Sequence, residues 1–210
     1  MPADPSCPPA DSLTETAVPV ADPVPQTEAE RLARFGEGDL WVFAYGSLMW
    51  NPGFDPVEAV QARVDGYQRD LCVASLRYRG TPDCLGIVLG LQQGGSCQGM
   101  ALRVAAAQRQ AVAAALDARE LITRLYHPQF LPCYLADGRQ VEAYGYVVDP
   151  SHSQYLGHLS RAEKLVFLRQ GVGCNGTSAE YLRNTVACLD RHGISDGHLH
   201  GYLAALEASG

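Results

Sequence analysis

The sequence contains no Cys-x-x-Cys pair and no repeating His/Cys spacing, although it holds seven cysteines, at 7, 72, 84, 97, 133, 174 and 188. An odd, irregular set of this kind builds neither a disulfide framework nor a structural zinc site. It reads as reduced thiols in a cytosol-like compartment, because free cysteine behaves as a small apolar residue. No apolar run approaches the ~18 residues of a membrane-spanning helix. The first residues lack the basic-then-apolar layout of a signal peptide, so a cytoplasmic address with no membrane association is expected. No cluster of Lys or Arg interrupts a chain whose formal net charge is −7, which removes the usual electrostatic footprint for nucleic acid or anionic lipid.

Nucleotide and metal motifs are missing as well. There is no G-x-x-x-x-G-K-[ST], no G-x-G-x-x-G opening a helix, no H-E-x-x-H and no EF-hand spacing. Among six histidines only His198 and His200, two apart, resemble a ligand pair; no metal and no cofactor are expected. Neither Ser47 nor Ser96 has the second glycine of G-x-S-x-G. Cys97 has no His or Asn partner that the sequence nominates, so it reads as a core cysteine at a strand start rather than a nucleophile.

What is present suffices for one core. The chain has 210 residues, 47% of them hydrophobic, and that length favours one folded domain plus extensions. Residues 1–38 hold seven of the thirteen prolines and seven acidic residues against Arg31 and Arg34. Such a stretch cannot bury enough surface to offset its ordering entropy. Residues 1–38 are therefore expected to form a mobile acidic extension, either a docking tail or functionless, in which 27–35 has the pattern of a short helix. Residues 39–210 form the expected domain.

From Leu40 the register changes. LWVFAY is the short apolar run of a buried strand. Further strands are expected around 62–75, 86–92, 96–104, 121–135 and 139–149, with a Gly-rich turn at 92–95. Helices are expected at the Ala-rich 105–120, at 160–170 behind Ser160-x-x-Glu163, at 178–192 between Thr177-x-x-Glu180 and Gly193, and near 196–208. Strands largely precede helices without regular βαβ alternation. That order predicts an α+β domain on a small, mostly antiparallel, barrel-like sheet with flanking helices.

Two places invite chemistry. Tyr45-Gly46-Ser47-Leu48 comes straight off the first strand, where a Gly–Ser turn either aims successive N–H groups at a carboxylate or oxyanion, or is simply a turn. Glu120 stands four residues after Leu116 and eight after Val112, on the apolar face of its helix and at the end where the dipole disfavours an anion. Burial there raises a carboxylate pKa toward the range of a general base. The competing reading pairs Glu120 with Arg119 or Arg124 in a partly exposed last turn. Asp117→Asn, one turn earlier, is expected to cost little activity if Glu120 is the base.

In order and spacing, WVFAYGSLMWNPGF at 41–54, RGTPDCLGIVLGL at 79–91, GGSCQGMALRV at 94–104, DARE at 117–120 and AEYLRNT at 179–185 resemble the ChaC-like γ-glutamylcyclotransferases, from Trp41 to near Arg191. The resemblance implies a γ-glutamylcyclotransferase-like barrel with flanking helices. It further implies glutathione as the small-molecule substrate, split to 5-oxoproline and cysteinylglycine without a cofactor. It places the acid/base role on Glu120 and the substrate loop on Ala44, Tyr45, Gly46, Ser47, Leu48 and Met49. Tyr181 would bind the γ-glutamyl group, and Arg77 and Arg79 the glycine carboxylate. Ala44, Tyr78 and Leu85 stand where the family often has glycine, histidine and proline, and the last two bear on recognition of the peptide end. A cyclotransferase for other γ-glutamyl amines or amino acids, and a non-catalytic γ-glutamyl binder, are the alternatives; oligomeric state is not encoded in any of these features.

Overall fold

The computed structural model describes residues 36–208, so the expected 27–35 helix, Cys7 and all but the end of the expected extension lie outside the described residues. Two compact units are present: residues 36–68 with Leu91–Ser151, and Arg69–Gly90 with residues 152–208.

The first unit carries a closed barrel. Its strands are β1 (Leu40–Ala44), β2 (Glu58–Ser75, of which 58–68 belong to this unit), β3 (Gly86–Val104, of which 91–104 do), β4 (Tyr126–Leu135) and β5 (Gln140–Val148), in the order β1-β3-β2-β4-β5. The pairings β1–β3, β2–β4 and β4–β5 are antiparallel, while β5 closes the barrel on β1 in parallel through Trp41↔Ala143 and Val42↔Tyr144. Alternation sorts the faces: Ala62 and Val64 of β2 point inward, and Arg63 and Asp65, which alternate with them, form a surface ion pair. Phe43, Val64, Leu91, Ala101, Leu131 and Cys133 fill the interior. Five of the six residues of LWVFAY, Leu40–Ala44, form the expected strand, all of them buried except the half-buried Trp41, and Tyr45 follows its end.

Several boundaries differ from the sequence reading: the strand expected from 62 starts at Glu58, and the helix expected from 105 starts at Arg109 behind a 3-10 turn, Ala106–Gln108. The expected turn at 92–95 does not end a strand, because β3 runs unbroken from Gly86 to Val104. Gly94 and Gly95 have φ of +129° and +50° and lie against the Gln68 side chain. Glycine thus bends the strand without breaking its pairing. The strand expected from 121 starts only at Tyr126. Residues 121–125 are used to leave helix α1 (Arg109–Glu120): the Leu121 N–H closes on the Asp117 carbonyl, and Arg124 adopts φ +59°.

The second unit holds α2 (Arg161–Gln170), the two-residue strands β6 (Val172–Gly173) and β7 (Gly176–Thr177), α3 (Ser178–Arg191) and α4 (Gly197–Glu207). Both expected capping boxes are formed, Ser160 with Glu163 and Thr177 with Glu180, and Asp196 caps α4. Gly193, with φ +65°, follows the end of α3. Ser178 is wholly buried: its Oγ accepts from the Ile87 N–H and donates to the Arg79 carbonyl, both at 3.0 Å. At that crossing the backbone is so close that a Cβ on Gly86 would lie 1.9 Å from the Arg79 oxygen. Buried charges are paired, with Lys164 Nζ 2.7 Å from Asp70 Oδ2 and Arg69 Nε 2.9 Å from Asp196 Oδ2. No helix of the described residues is long and apolar enough to cross a membrane.

Candidate active site

Tyr45 leaves β1 pointing into the barrel, and its hydroxyl donates to the Tyr146 carbonyl at 2.9 Å. Gly46 then takes a conformation outside the helical and strand regions, φ −135° and ψ −129°, and the chain folds into one 3-10 turn, Ser47–Met49. The N–H groups of Met49 and Asn51 are used within this turn, on Gly46 O at 2.9 Å and Ser47 O at 2.8 Å. Those of Ser47 and Leu48 open it and have no partner inside it by construction. Ala44, Leu48 and Met49 are buried and anchor the turn at both ends.

Glu120 is the last residue of α1, a helix that buries Ala113, Leu116 and Asp117 on one face. Its side chain is 19% exposed, and Oε1 lies 3.0 Å from Arg119 Nε. The two sequence readings of this residue therefore both hold: the carboxylate is largely buried and it is paired. Burial holds its carboxyl above the usual carboxylate range, and the Arg119 guanidinium pulls the other way without cancelling the shift. Arg119 also reaches the turn, donating from Nη2 to Ser47 Oγ at 2.9 Å and from Nη1 to the Asn51 carbonyl at 2.8 Å.

Beside them lies a group that the sequence reading missed. Asp117 is buried, and its Oδ1 accepts from the hydroxyls of Tyr144 and Tyr146, each at 2.8 Å. Burial, then the Asp117 carboxylate, push the Tyr146 phenol far above its ordinary range, with Glu120 adding to the effect. Tyr146 keeps its proton. The sequence reading of Asp117 took no account of these two hydroxyls. A signal was available: Tyr144 and Tyr146 share one face of an apolar strand, and buried tyrosine hydroxyls need an acceptor.

Within the second unit, Tyr181 is buried on α3 and Arg79 lies over its ring at 5.8 Å. Arg79 Nη1 donates to the Thr177 carbonyl at 3.3 Å, and its own N–H donates to Ser75 Oγ. Arg77 is exposed, with its guanidinium 5.7 Å from the Tyr78 ring. The structure thus brings Ser47, Arg119 and Glu120 together in one unit and Arg79 with Tyr181 in the other. Tyr78 is exposed and Leu85 buried.

Cys72, Cys97, Cys133 and Cys188 are buried, whereas Cys174 is exposed. Cys97 is buried inside the barrel, and burial pushes the thiols of Cys72 and Cys133 up to about 12, far from the thiolate a nucleophile requires. His198 faces Asp70 at 3.3 Å, whereas His200 bridges the Asp196 carbonyl and Asp190 Oδ1 at 2.6 and 2.9 Å.

A closed five-stranded barrel with flanking helices is the γ-glutamylcyclotransferase fold. The crystal structure of a selenomethionine-labelled γ-glutamyl cyclotransferase specific to glutathione from yeast has this fold, with a TM-score of 0.74 at 18% identity over 81% of this chain and 96% of that one. Sequence likeness is stronger. The chain is 33% identical over 172 residues to the glutathione-specific γ-glutamylcyclotransferase of Escherichia coli (strain K12), covering 81% of this chain and 74% of the relative. It is 29% identical over 183 residues to glutathione-specific γ-glutamylcyclotransferase 1 of Danio rerio, covering 83% and 92%. The ChaC-like protein family matches residues 40–209, and the chain belongs to that family.

Proposed function

We propose that this protein cleaves glutathione as a γ-glutamylcyclotransferase, releasing 5-oxoproline and cysteinylglycine. One observation carries the chemistry: a carboxylate, Glu120, held above its ordinary pKa by burial and tied to the turn beside it. The α-amine of a γ-glutamyl group can fold onto its own γ-carbonyl, so the new lactam C–N bond forms as the γ-amide C–N bond breaks. Nothing else is consumed. The protein has to hold the bend, take a proton from the ammonium and deliver one to the departing amine. Holding the bend is worth much, since effective molarities of well-oriented internal reactions reach about 10⁵–10⁸ M.

Glu120 is the proton carrier in this reading, and its raised pKa suits transfer near neutrality. The Ser47 and Leu48 amides, with Ala44, Tyr45, Gly46 and Met49 shaping the turn, supply donors for the substrate carboxylate or the developing oxyanion. The protonated Tyr146 and the Asp117 carboxylate keep the floor of this region rigid and polar. Substrate choice is supported by the relatives' specificity for glutathione, and the expected reduced thiols fit a cytoplasmic setting.

The test is to incubate the purified full chain with glutathione, γ-glutamylcysteine, γ-glutamylalanine and a γ-glutamylamine, and to follow 5-oxoproline by mass spectrometry. Glutathione is expected to be turned over much better than the others. Equal or reversed efficiencies transfer the assignment to another γ-glutamyl substrate, and binding without any 5-oxoproline leaves a non-catalytic binder.

A further inference from the structure

We propose that Arg119 is a positioning residue for this reaction, a single guanidinium that locks the substrate turn and the proton-carrying glutamate into one rigid piece. The inference rests on the function proposed above and adds a residue to it.

Neighbouring helix residues point about 100° apart and do not ordinarily face each other. Yet Arg119 Nε lies 3.0 Å from Glu120 Oε1. That contact exists because Arg119 folds across the end of its helix toward the turn, where Nη2 meets Ser47 Oγ at 2.9 Å and Nη1 meets the Asn51 carbonyl at 2.8 Å. The two acceptors bracket the 3-10 turn, one on its first residue and one just beyond its last. All three nitrogens of the guanidinium are engaged, each on a different segment of the arrangement. Only a planar fork does this. A lysine ammonium places its donors on one atom and cannot hold three acceptors spread around it in a plane.

Two effects follow from one side chain. Fixing Ser47 and Asn51 sets where the turn amides stand relative to the Glu120 carboxylate, and a misplacement of about 1 Å can cost 10²-fold in rate. The cation beside Glu120 also opposes the effect of burial, keeping the carboxylate ionised enough to accept a proton.

The experiment compares wild type with Arg119→Gln, Arg119→Lys and Ser47→Ala. It measures kcat and KM for glutathione by 5-oxoproline release, the pH profile of kcat/KM, and folding by circular dichroism and thermal melting. Arg119→Gln is expected to lose about 10–100-fold in kcat and to move the acid limb of the profile to higher pH, since Glu120 loses its cation. Arg119→Lys should bring the acid limb back toward wild type while recovering little kcat. Ser47→Ala should raise KM with the acid limb in place. A folded Arg119→Gln with wild-type kcat and an unmoved acid limb overturns the proposal. If Arg119→Gln does not fold, Arg119→Lys decides it, and wild-type kcat in that variant overturns it equally. Wild-type protein that makes no 5-oxoproline from any γ-glutamyl compound overturns the proposed function itself, and this inference with it.

Discussion

At Glu120 the chain holds a carboxylate that folding disfavours. Its folded pKa is raised by burial, above the ~4.3 of an unfolded glutamate. The group is therefore harmless when protonated in both states, and it subtracts stability progressively as pH rises from the unfolded value, in full once pH has passed the folded one. Glu120→Gln keeps the shape and removes the charge. It should lower kcat by about 10²–10⁴-fold while glutathione still binds, as steady-state kinetics and calorimetry will show. The same variant should melt at a higher temperature than wild type at pH 8, with the difference shrinking toward pH 4; a variant that melts lower at pH 8 would contradict the burial argument. Asp117 matters through its hydrogen bonds to Tyr144 and Tyr146. Asp117→Ala strands two buried tyrosine hydroxyls at a cost of about 1–3 kcal/mol each, which urea denaturation will measure, and Asp117→Asn will not be the silent control that its position in sequence suggests. The burial of Glu120 was legible because a charge on an apolar helix face breaks a local rule. Asp117 was not, because its partners lie 27 and 29 residues away on β5.

Helix ends were the most legible elements, and the reason is local. Each capping box closes within four residues, so Ser160-x-x-Glu163 and Thr177-x-x-Glu180 carry their own evidence. Barrel closure gives no such sign, since the parallel pairing of Trp41 with Ala143 joins segments about a hundred residues apart. Likewise the Gly94–Gly95 pair reads as a turn until the partner strand and Gln68 are in view. The crossing at Gly86 is testable as an element. Gly86→Ala drives a methyl group into the Arg79 carbonyl and Ser178 Oγ, so its loss of stability should reach or exceed the ~3 kcal/mol upper range of ordinary overpacking. Gly197→Ala has nothing within 4 Å of the new Cβ and begins a helix. It should be neutral or stabilising by up to ~1 kcal/mol. Chemical denaturation of the pair separates crowding from glycine's general cost.

For the molecule as a whole, the family match begins at residue 40. The first contacts of the described chain are made by Glu37, whose carbonyl takes Arg109, and by Asp39, which pairs with Arg103. A chain lacking residues 1–36 is expected to keep its turnover within a small factor of the full protein; a folded truncation without activity would give the acidic extension a part in the reaction. The order in which the two units are completed has a further consequence for synthesis. Every residue of the barrel unit has been made once Ser151 is added, but Arg69–Gly90 belongs to a unit whose other part is residues 152–210. At the usual pace of about 5–20 residues per second, translation of that last stretch takes roughly 3–12 s. During this interval Leu71, Cys72, Val73 and Ala74, all buried in the finished protein, are an apolar strand end waiting for helices that the ribosome has not yet delivered. The vulnerable species in the life of this enzyme is thus a nascent chain stalled or cleaved near residue 151, and chaperone capture should concentrate there.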